Sequence, residues 1–220
     1  MTPSSVLDHP NTEQGLFLTA GINRRNAHGT LVRLPSGASA ARKLTELLSH
    51  DPDDGIPHEG WWSLNQWRND HRRKQGWCGA SGIALDVDYH DAGGIHSAPP
   101  ARTRELTGNI IHQTPRGLRV VLVFDRVERS RDKMKAAMRG AAAIVEEDLD
   151  AQGLLAVFPK AFSPHAGYAV DTSASFDLAR LFWAPTTIVD GALRSDPLVL
   201  IRDEPFTVAE LAVRAGAWRR

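Results

Sequence analysis

The segment SGIALDVD is the feature that most constrains the fold of this chain. It spans residues 81–88, and its run of small and branched apolar residues ends in Asp86 and Asp88. A short apolar run between polar segments is typical of a buried strand. The two acids therefore predict that this strand leads out of the core into a functional site.

The segments around this strand predict a mixed fold. A second strong strand is predicted at 118–124, followed by Asp125, and an amphipathic helix is predicted at 131–152 with Ser130 as its cap. Shorter strands are predicted near 16–18, 30–32, 154–158, 168–171, 178–183, 188–189 and 198–201, and further helices at 39–49, 62–74 and 208–218. This order indicates an α+β fold with helices on one face of a sheet.

Composition excludes several classes of protein. The chain has 220 residues, of which 42% are hydrophobic and 24% charged, which is typical of a globular protein with one sizeable core. Its single cysteine, Cys78, excludes an intramolecular disulfide. There is no secretory signal and no apolar run of about 18 residues. We therefore expect a soluble, cytoplasmic protein with no membrane partner.

The charges balance, with 26 basic and 26 acidic residues. A neutral chain has no overall field to attract a polyanion, so nucleic-acid binding must depend on local basic patches. The clearest patch lies at 68–74, where Arg72, Arg73 and Lys74 are consecutive. We predict that these three residues contact DNA, although a solvated surface would carry the same charges.

Asp86 and Asp88 stand two residues apart, so in a strand they project from the same face, about 6–7 Å apart along the chain. Two carboxylates at the end of an apolar strand repel each other unless a cation neutralises them, and oxygen ligands suit magnesium or manganese. Transfer of phosphoryl or nucleotidyl groups uses two such ions. Solvent-facing acids, a hydrolase with an aspartate nucleophile and a glycosyltransferase remain alternatives.

Two other segments carry suitable partners for this pair. The segment from His112 into the second strand holds Arg116 in its turn and Arg119 at the start of the strand. The guanidinium groups of both arginines can bind phosphate oxygens. Farther on, Asp171 ends a predicted strand and Arg180 follows it. Asp171 is the preferred third acid, with Asp125 as its rival, and Asp177 is predicted to be a turn or capping residue.

The chain resembles, in three ordered motifs, the archaeo-eukaryotic primase superfamily, in particular the primase-polymerases of phages and plasmids. The first motif matches ALDVD, the second TPRGLRVVLVF, and the third AVD followed by DLARLFWAP. The resemblance spans roughly residues 70–187. It implies an RRM-like catalytic sheet, with helices, beside an N-terminal αβ unit and an active site in the cleft between them. The polar residues 1–15 predict a flexible lead-in. We expect a catalytic domain at 16–190, with units at 16–80 and 81–190, and an extension at 191–220.

The resemblance also implies an activity. A primer 3′-hydroxyl or an initiating nucleotide would attack the α-phosphate of an NTP or dNTP on a single-stranded DNA template. Asp86, Asp88 and Asp171 would be catalytic and hold two Mg²⁺ or Mn²⁺ ions, while the triphosphate would contact Arg116, Arg119, Arg180 and His112. The implied setting is replication of mobile DNA in a prokaryotic or phage-infected cell, with a replicative helicase as a further partner.

The chain departs from the family pattern at one position. The family's second motif usually has a histidine after its glycine turn, where this chain has Arg119. We expect Arg119 or His112 to replace that histidine. Two other functions stay open: a replication-initiation module of the same fold that mainly binds DNA, and a haloacid-dehalogenase-like phosphatase built on the DVD segment, which lacks the usual Thr or Val at His90.

Overall fold

The structure is a computed structural model that describes residues 15–21, 28–49, 60–90, 101–114, 117–156, 166–183, 185–189, 192–195 and 198–218. Of the predicted features, residues 1–14 of the lead-in and Arg116 lie outside the described residues. None of the helices in the described ranges has the length and apolarity that crossing a membrane requires.

The strands and helices follow one another in a mixed order. The strands are β1 (Phe17–Gly21), β2 (Thr30–Arg33), β3 (Trp61–Ser63), β4 (Asn65–Trp67), β5 (Trp77–His90), β6 (Ile110–Thr114), β7 (Gly117–Glu128), β8 (Gly167–Val170), β9 (Phe182–Trp183), β10 (Thr186–Val189), β11 (Ala192–Ser195) and β12 (Leu198–Leu200). The helices are α1 (Ser39–Ser49), α2 (Arg131–Ala151), α3 (Thr172–Ser175) and α4 (Val208–Val213). The predicted α+β class is confirmed.

The central sheet has the strand order β12-β6-β7-β5, and β4 and β8 share the second edge of β5. All of these pairs are antiparallel. The four strands of the expected RRM-like sheet are, in chain order, β5, β6, β7 and β8. Across the sheet they lie in the order β6-β7-β5-β8. Helix α2 connects the third strand to the fourth.

Apolar side chains cover both faces of this sheet. On one face, Leu85 of β5 and Leu122 of β7 pack with Met138 and other α2 residues. On the other face, Ala84 and Val121 pack with residues of β1, β3, β9 and α1. The strands β2-β1-β3-β9 form a second antiparallel sheet. The central sheet is therefore buried between a helical layer and this N-terminal sheet, as the apolar composition of β5 requires.

The long helix follows its predicted limits because its local signals are strong. Ser130 caps α2 by accepting a hydrogen bond from the Lys133 amide, and Gly153, with φ of 68°, follows its end. A glycine in this left-handed conformation is a common helix terminator. The predicted caps and apolar stripe are thus sufficient to define this element.

The predicted helix at 62–74 is wrong. Residues 61–67 form β3 and β4, and 3-10 turns follow at Arg68–Asp70 and Lys74–Gly76. Strand β3 lies between β1 and β9, and β4 pairs with β5, so tertiary pairing decides the local conformation. Trp61, Trp62 and Trp67 are all buried here, so their indole rings form part of the core.

Two predicted strands near the acidic cluster, the group formed by Asp86, Asp88 and Asp171, are also shorter than expected. Leu155 forms only an isolated bridge with Tyr168, and residues 157–158 lie outside the described ranges. At 178–183 only Phe182 and Trp183 form a strand, because the preceding residues form a turn in which the Asp177 carboxylate accepts a hydrogen bond from the Ala179 amide. The predicted role of Asp177 as a turn residue is confirmed.

The two sheets exchange chain segments across the predicted unit boundaries. The boundary at residue 80 falls inside β5, and β9, from the predicted RRM-like unit, pairs with β3 of the N-terminal sheet. Strand β12, from the predicted extension, pairs with β6. Backbone pairing therefore makes residues 198–200 part of the central sheet.

Gly117 is required by the close approach of β5 and β7. A β-carbon at this position would lie 2.0 Å from the carbonyl oxygen of Val87. We expect Gly117→Ala to lower the free energy of unfolding by about 1–3 kcal/mol, measured by urea denaturation. Gly216→Ala is the control, since a β-carbon there meets nothing within 4 Å and its effect should stay within about 0.5 kcal/mol. Equal stability of the two variants would contradict this packing.

Candidate active site

The polar site lies at one end of the central sheet, on the face toward the N-terminal sheet. Along β5, the buried Ala84 is followed on the same face by Asp86 and Asp88, both partly exposed. Asp86 pairs with Arg119 of β7, and Arg119 pairs in turn with His112 of β6. The register thus places an acid, an arginine and a histidine in one row across three strands.

Asp86 is held by two arginines. Its Oδ1 accepts a hydrogen bond from Arg119 Nη2 at 3.2 Å, and its Oδ2 accepts one from Arg180 Nη2 at 3.2 Å. The Arg119 side chain is only 10% exposed and that of Asp86 15%, whereas Arg180 is 43% exposed. Each carboxylate oxygen of Asp86 therefore already has a charged partner.

Arg119 is positioned from both sides. Its Nη1 lies 3.2 Å from Nδ1 of the buried His112, and its guanidinium lies 4.3 Å from the centre of the Phe182 ring. A guanidinium group only donates hydrogen bonds, so Nδ1 of His112 accepts and its proton is on Nε2. The Arg180 guanidinium lies 6.0 Å from the same Phe182 ring. Phe182 thus provides one cation–π surface for both arginines.

Asp171 reaches the cluster through the backbone. Its amide donates to the carbonyl of Asp86 at 2.8 Å, and Ser175 fixes the same residue by accepting from the Asp86 amide at 2.9 Å. The Asp171 carboxylate caps α3, and its hydrogen bonds to Ser173 and Ala174 all use Oδ1. Oδ2 is left for other partners as far as the described residues show.

The electrostatics of the acids differ in direction. The pKa of Asp88 is raised, first by burial and then by the charges of Asp86 and Asp171, against the smaller opposing effects of His90 and Arg180. For Asp171, burial would raise the pKa, but the Ser173 and Ala174 hydrogen bonds and Arg180 together lower it. Asp88 is therefore the acid whose charge is least compensated.

The structure decides between the two candidates for the third acid. Asp171 is hydrogen-bonded to the backbone of Asp86, whereas Asp125 lies on β7 eight residues beyond Gly117, the partner of Asp88. At about 3.3 Å per residue, Asp125 lies about 26 Å along β7 from the partner of Asp88 and about 20 Å from Arg119, the partner of Asp86. Asp171 is the acid that joins the pair.

The acids fit a divalent ion only in part. Among the described residues, no group of three or more His, Cys, Asp or Glu side chains stands arranged to hold a metal. The reason is visible in the contacts: Asp86 is engaged by Arg119 and Arg180, and Oδ1 of Asp171 caps α3. Asp88 and Asp171 lie close enough to interact electrostatically, and Asp86 would have to exchange its arginines before its carboxylate could bind a cation.

The predicted DNA-binding residues occupy the segment between β4 and β5. Arg73 and Lys74 are exposed and Arg72 is partly exposed. Lys74 Nζ forms an ion pair with Asp177 at 3.2 Å, and the Trp67 indole donates to the carbonyl of Leu178. The segment is therefore attached to the turn that precedes Arg180.

Sequence reasoning did not identify Ser175 and Phe182 as site residues. Ser175 holds the backbone of Asp86, and Phe182 lies beside two guanidinium groups. The only signal was that Phe182 falls inside the segment DLARLFWAP. The contacts of Ser175 with Asp86 and of Phe182 with Arg119 do not follow from local spacing, because each joins residues more than 60 positions apart.

The raised pKa of Asp88 has a consequence for stability. Its folded-state pKa lies above the ordinary value of 3.8, so the folded state binds the proton more tightly than the unfolded state does. The resulting stabilisation of the folded state is complete below pH 3.8 and is lost as pH rises through the raised pKa. We expect Asp88→Asn to become progressively more stable than the unmodified protein over that rise. Thermal unfolding of both proteins against pH, in the presence of EDTA, measures this difference in stability. A difference that shrinks as pH rises would contradict burial and neighbouring charge as the cause of the raised pKa.

Comparison with known proteins adds little to the geometry. No protein-family model matches the chain, and no curated protein matches it. A structure search finds the primase-polymerase AEP domain of cyanophage S-2L, with a TM-score of 0.43 and 11% identity over 92% of this chain and 89% of that chain. A likeness at this level assigns neither a family nor an activity.

Proposed function

We propose that this chain is a nucleotidyltransferase of the primase-polymerase type, which joins nucleotides on a single-stranded DNA template. One observation carries the proposal: Asp86, Asp88 and Asp171 meet Arg119 and Arg180 at one end of a buried sheet. Transfer of a nucleotidyl group from a triphosphate requires acids that bind a cation and arginines that bind phosphate. Both kinds of side chain are present here. The ordered motifs of the sequence support the same reading.

The arginines would bind the triphosphate. Arg119 is the fixed donor, since His112 and Phe182 hold it, and the more exposed Arg180 is the movable one. Triphosphate oxygens compete with Asp86 for the same guanidinium groups. Nucleotide binding would thus release the Asp86 carboxylate and move positive charge onto the phosphates.

The acids would hold the cation. Asp88 and Asp171 are the residues that would bind Mg²⁺ or Mn²⁺, and Asp86 would join them when it leaves its arginines. The bound ion would supply positive charge at the reacting phosphate and activate the attacking hydroxyl. Ser175 and the Asp171 amide keep the Asp86 backbone in place during this exchange.

The test is synthesis on single-stranded DNA with NTPs or dNTPs, with and without a primer, in Mg²⁺ or Mn²⁺. We expect products whose sequence follows the template and whose formation stops in EDTA. Products that ignore the template, or no product under any of these conditions, would contradict the proposal.

The second candidate is a replication-initiation module that mainly binds DNA. The ion pairs that occupy both oxygens of Asp86 favour it, because they leave the acids short of a complete metal site. Such a module would bind single-stranded DNA in EDTA, and Asp86→Asn and Asp88→Asn would leave its function intact. Binding that is retained without synthesis would decide for this alternative.

A further inference from the structure

A basic pocket lies outside the acidic cluster. It has a volume of about 300 Å³ and is lined by His28, Arg68, Asn69, His71, Arg73 and Gly76. This volume is at the lower limit of ligand pockets. The pocket therefore suits a small group rather than a whole nucleotide.

No acidic side chain in the described part of the chain pairs with the two arginines of the basic pocket. In the described ranges, the guanidinium groups of Arg68 and Arg73 form no ion pair and no side-chain hydrogen bond. Nδ1 of His71 is buried and has no hydrogen-bond partner, although buried polar atoms normally have one. Two guanidinium groups and an imidazole nitrogen around one cavity form a donor set that suits an anion.

The histidines are coupled to this charge. The rings of His28 and His71 meet edge to face, with centroids 4.6 Å apart. Burial, followed by the charges of Arg73, His28 and Arg72, lowers the pKa of His71. An anion in the pocket would oppose these charges and give the imidazole a partner.

The pocket walls are held in place by contacts from several elements. His28 and His71 form an isolated β-bridge, and Arg131 donates to the carbonyls of Lys74 and Gln75. Asn69 has φ of 56°, the one left-handed non-glycine residue within the described ranges. Asparagine tolerates this conformation in tight turns. The cavity is thus a built feature of the fold.

From these observations we propose that the basic pocket binds a phosphate group of a nucleic-acid strand. Guanidinium forks match phosphate oxygens in shape and charge, and His71 Nδ1 completes the donor set when protonated. The segment is joined to the Arg180 turn by the Lys74–Asp177 ion pair. A strand held here would run beside the acidic cluster, so the identity of the strand rests on the proposed function, whereas phosphate binding does not.

The first experiment titrates the full chain with inorganic phosphate and follows the imidazole NMR resonances of His28 and His71. We expect a saturable shift of both, with sulfate as a second probe and chloride at equal ionic strength as the control. Arg68→Gln/Arg73→Gln should abolish the shift, and circular dichroism checks that this variant folds. No shift in the unmodified protein would overturn the proposal.

The second experiment measures single-stranded DNA binding by fluorescence anisotropy at several salt concentrations, with and without a 5′-phosphate on the oligonucleotide. Arg68→Gln/Arg73→Gln should reduce the slope of log K against log salt by about 0.7 for each phosphate contact that it removes. The matched control is Lys135→Gln/Arg139→Gln, which removes the same charge from the exposed face of α2 and should leave the slope unchanged. An equal change in both variants would overturn the assignment to DNA.

The arms also identify the source of the phosphate. If Arg68→Gln/Arg73→Gln weakens binding of both oligonucleotides, the pocket binds a backbone phosphate. If it weakens binding only of the 5′-phosphorylated oligonucleotide, the pocket binds the terminal phosphate. An NMR shift with phosphate, without any change in DNA binding by Arg68→Gln/Arg73→Gln, would overturn the assignment to a nucleic-acid strand. Free phosphate would then be the ligand. Failure of template-dependent synthesis by the unmodified protein would overturn the proposed function but not the NMR result, so the two failures are distinguishable.

Discussion

Asp88→Asn is expected to abolish template-dependent nucleotide incorporation while leaving the folded state at least as stable as that of the unmodified protein. Asp88 forms no hydrogen bond with a described side chain, and burial and two neighbouring acids raise its pKa. The amide keeps the shape and removes the repulsion. It also removes the charge that would bind the cation, so the rate should fall by about 10²–10³-fold or more.

The measurement pairs single-turnover extension of a labelled primer with urea denaturation of the same preparation. The control is Asp125→Asn, which removes an equal charge from an exposed position on the distant part of β7 and should keep both rate and stability. A rate that Asp88→Asn leaves within about threefold of the unmodified protein would remove the catalytic role. A large loss of stability would show instead that Asp88 is a structural residue.

Arg119→Met is expected to damage both the fold and nucleotide binding. Arg119 is buried between Asp86, His112 and Phe182, and its loss leaves Asp86 with Arg180 alone. Removing one partner of a buried ion pair is strongly destabilising, and with the second arginine retained we expect about 2–3 kcal/mol. The apparent KM for the nucleotide should rise at least about tenfold, because the fixed phosphate donor is missing.

A double-mutant cycle separates the two effects. Asp86→Asn combined with Arg119→Met should recover part of the lost stability, since the amide no longer needs a charged partner, but should not recover the KM. Arg119→Lys keeps the charge without the planar guanidinium group. Its stability and its KM should lie between those of the unmodified protein and those of Arg119→Met. Arg139→Met, on the exposed face of α2, is the control for loss of an arginine. Recovery of KM in the double variant would show that Arg119 acts only through Asp86.

Elements with strong local signals could be predicted, whereas the partners of the strands, and the strands with weak local signals, could not. Helix α2 has its serine cap, its apolar stripe and its terminating glycine within one stretch of chain, so its limits follow from local rules. The residues of β3 and β4 have no such signals and become strands because β1, β9 and β5 lie beside them. Likewise, β9 and β12 join sheets that lie far from them in sequence.

The sequence alone determined the α+β class, the shared face of Asp86 and Asp88 and the apolar strand that carries them, because strand alternation and burial depend on near neighbours. Only the tertiary structure decided that Asp171 rather than Asp125 joins the pair, that two arginines hold Asp86, and that Arg68, His71 and Arg73 share a cavity with His28. These contacts join residues brought together by sheet register and loop packing, and no local spacing encodes them.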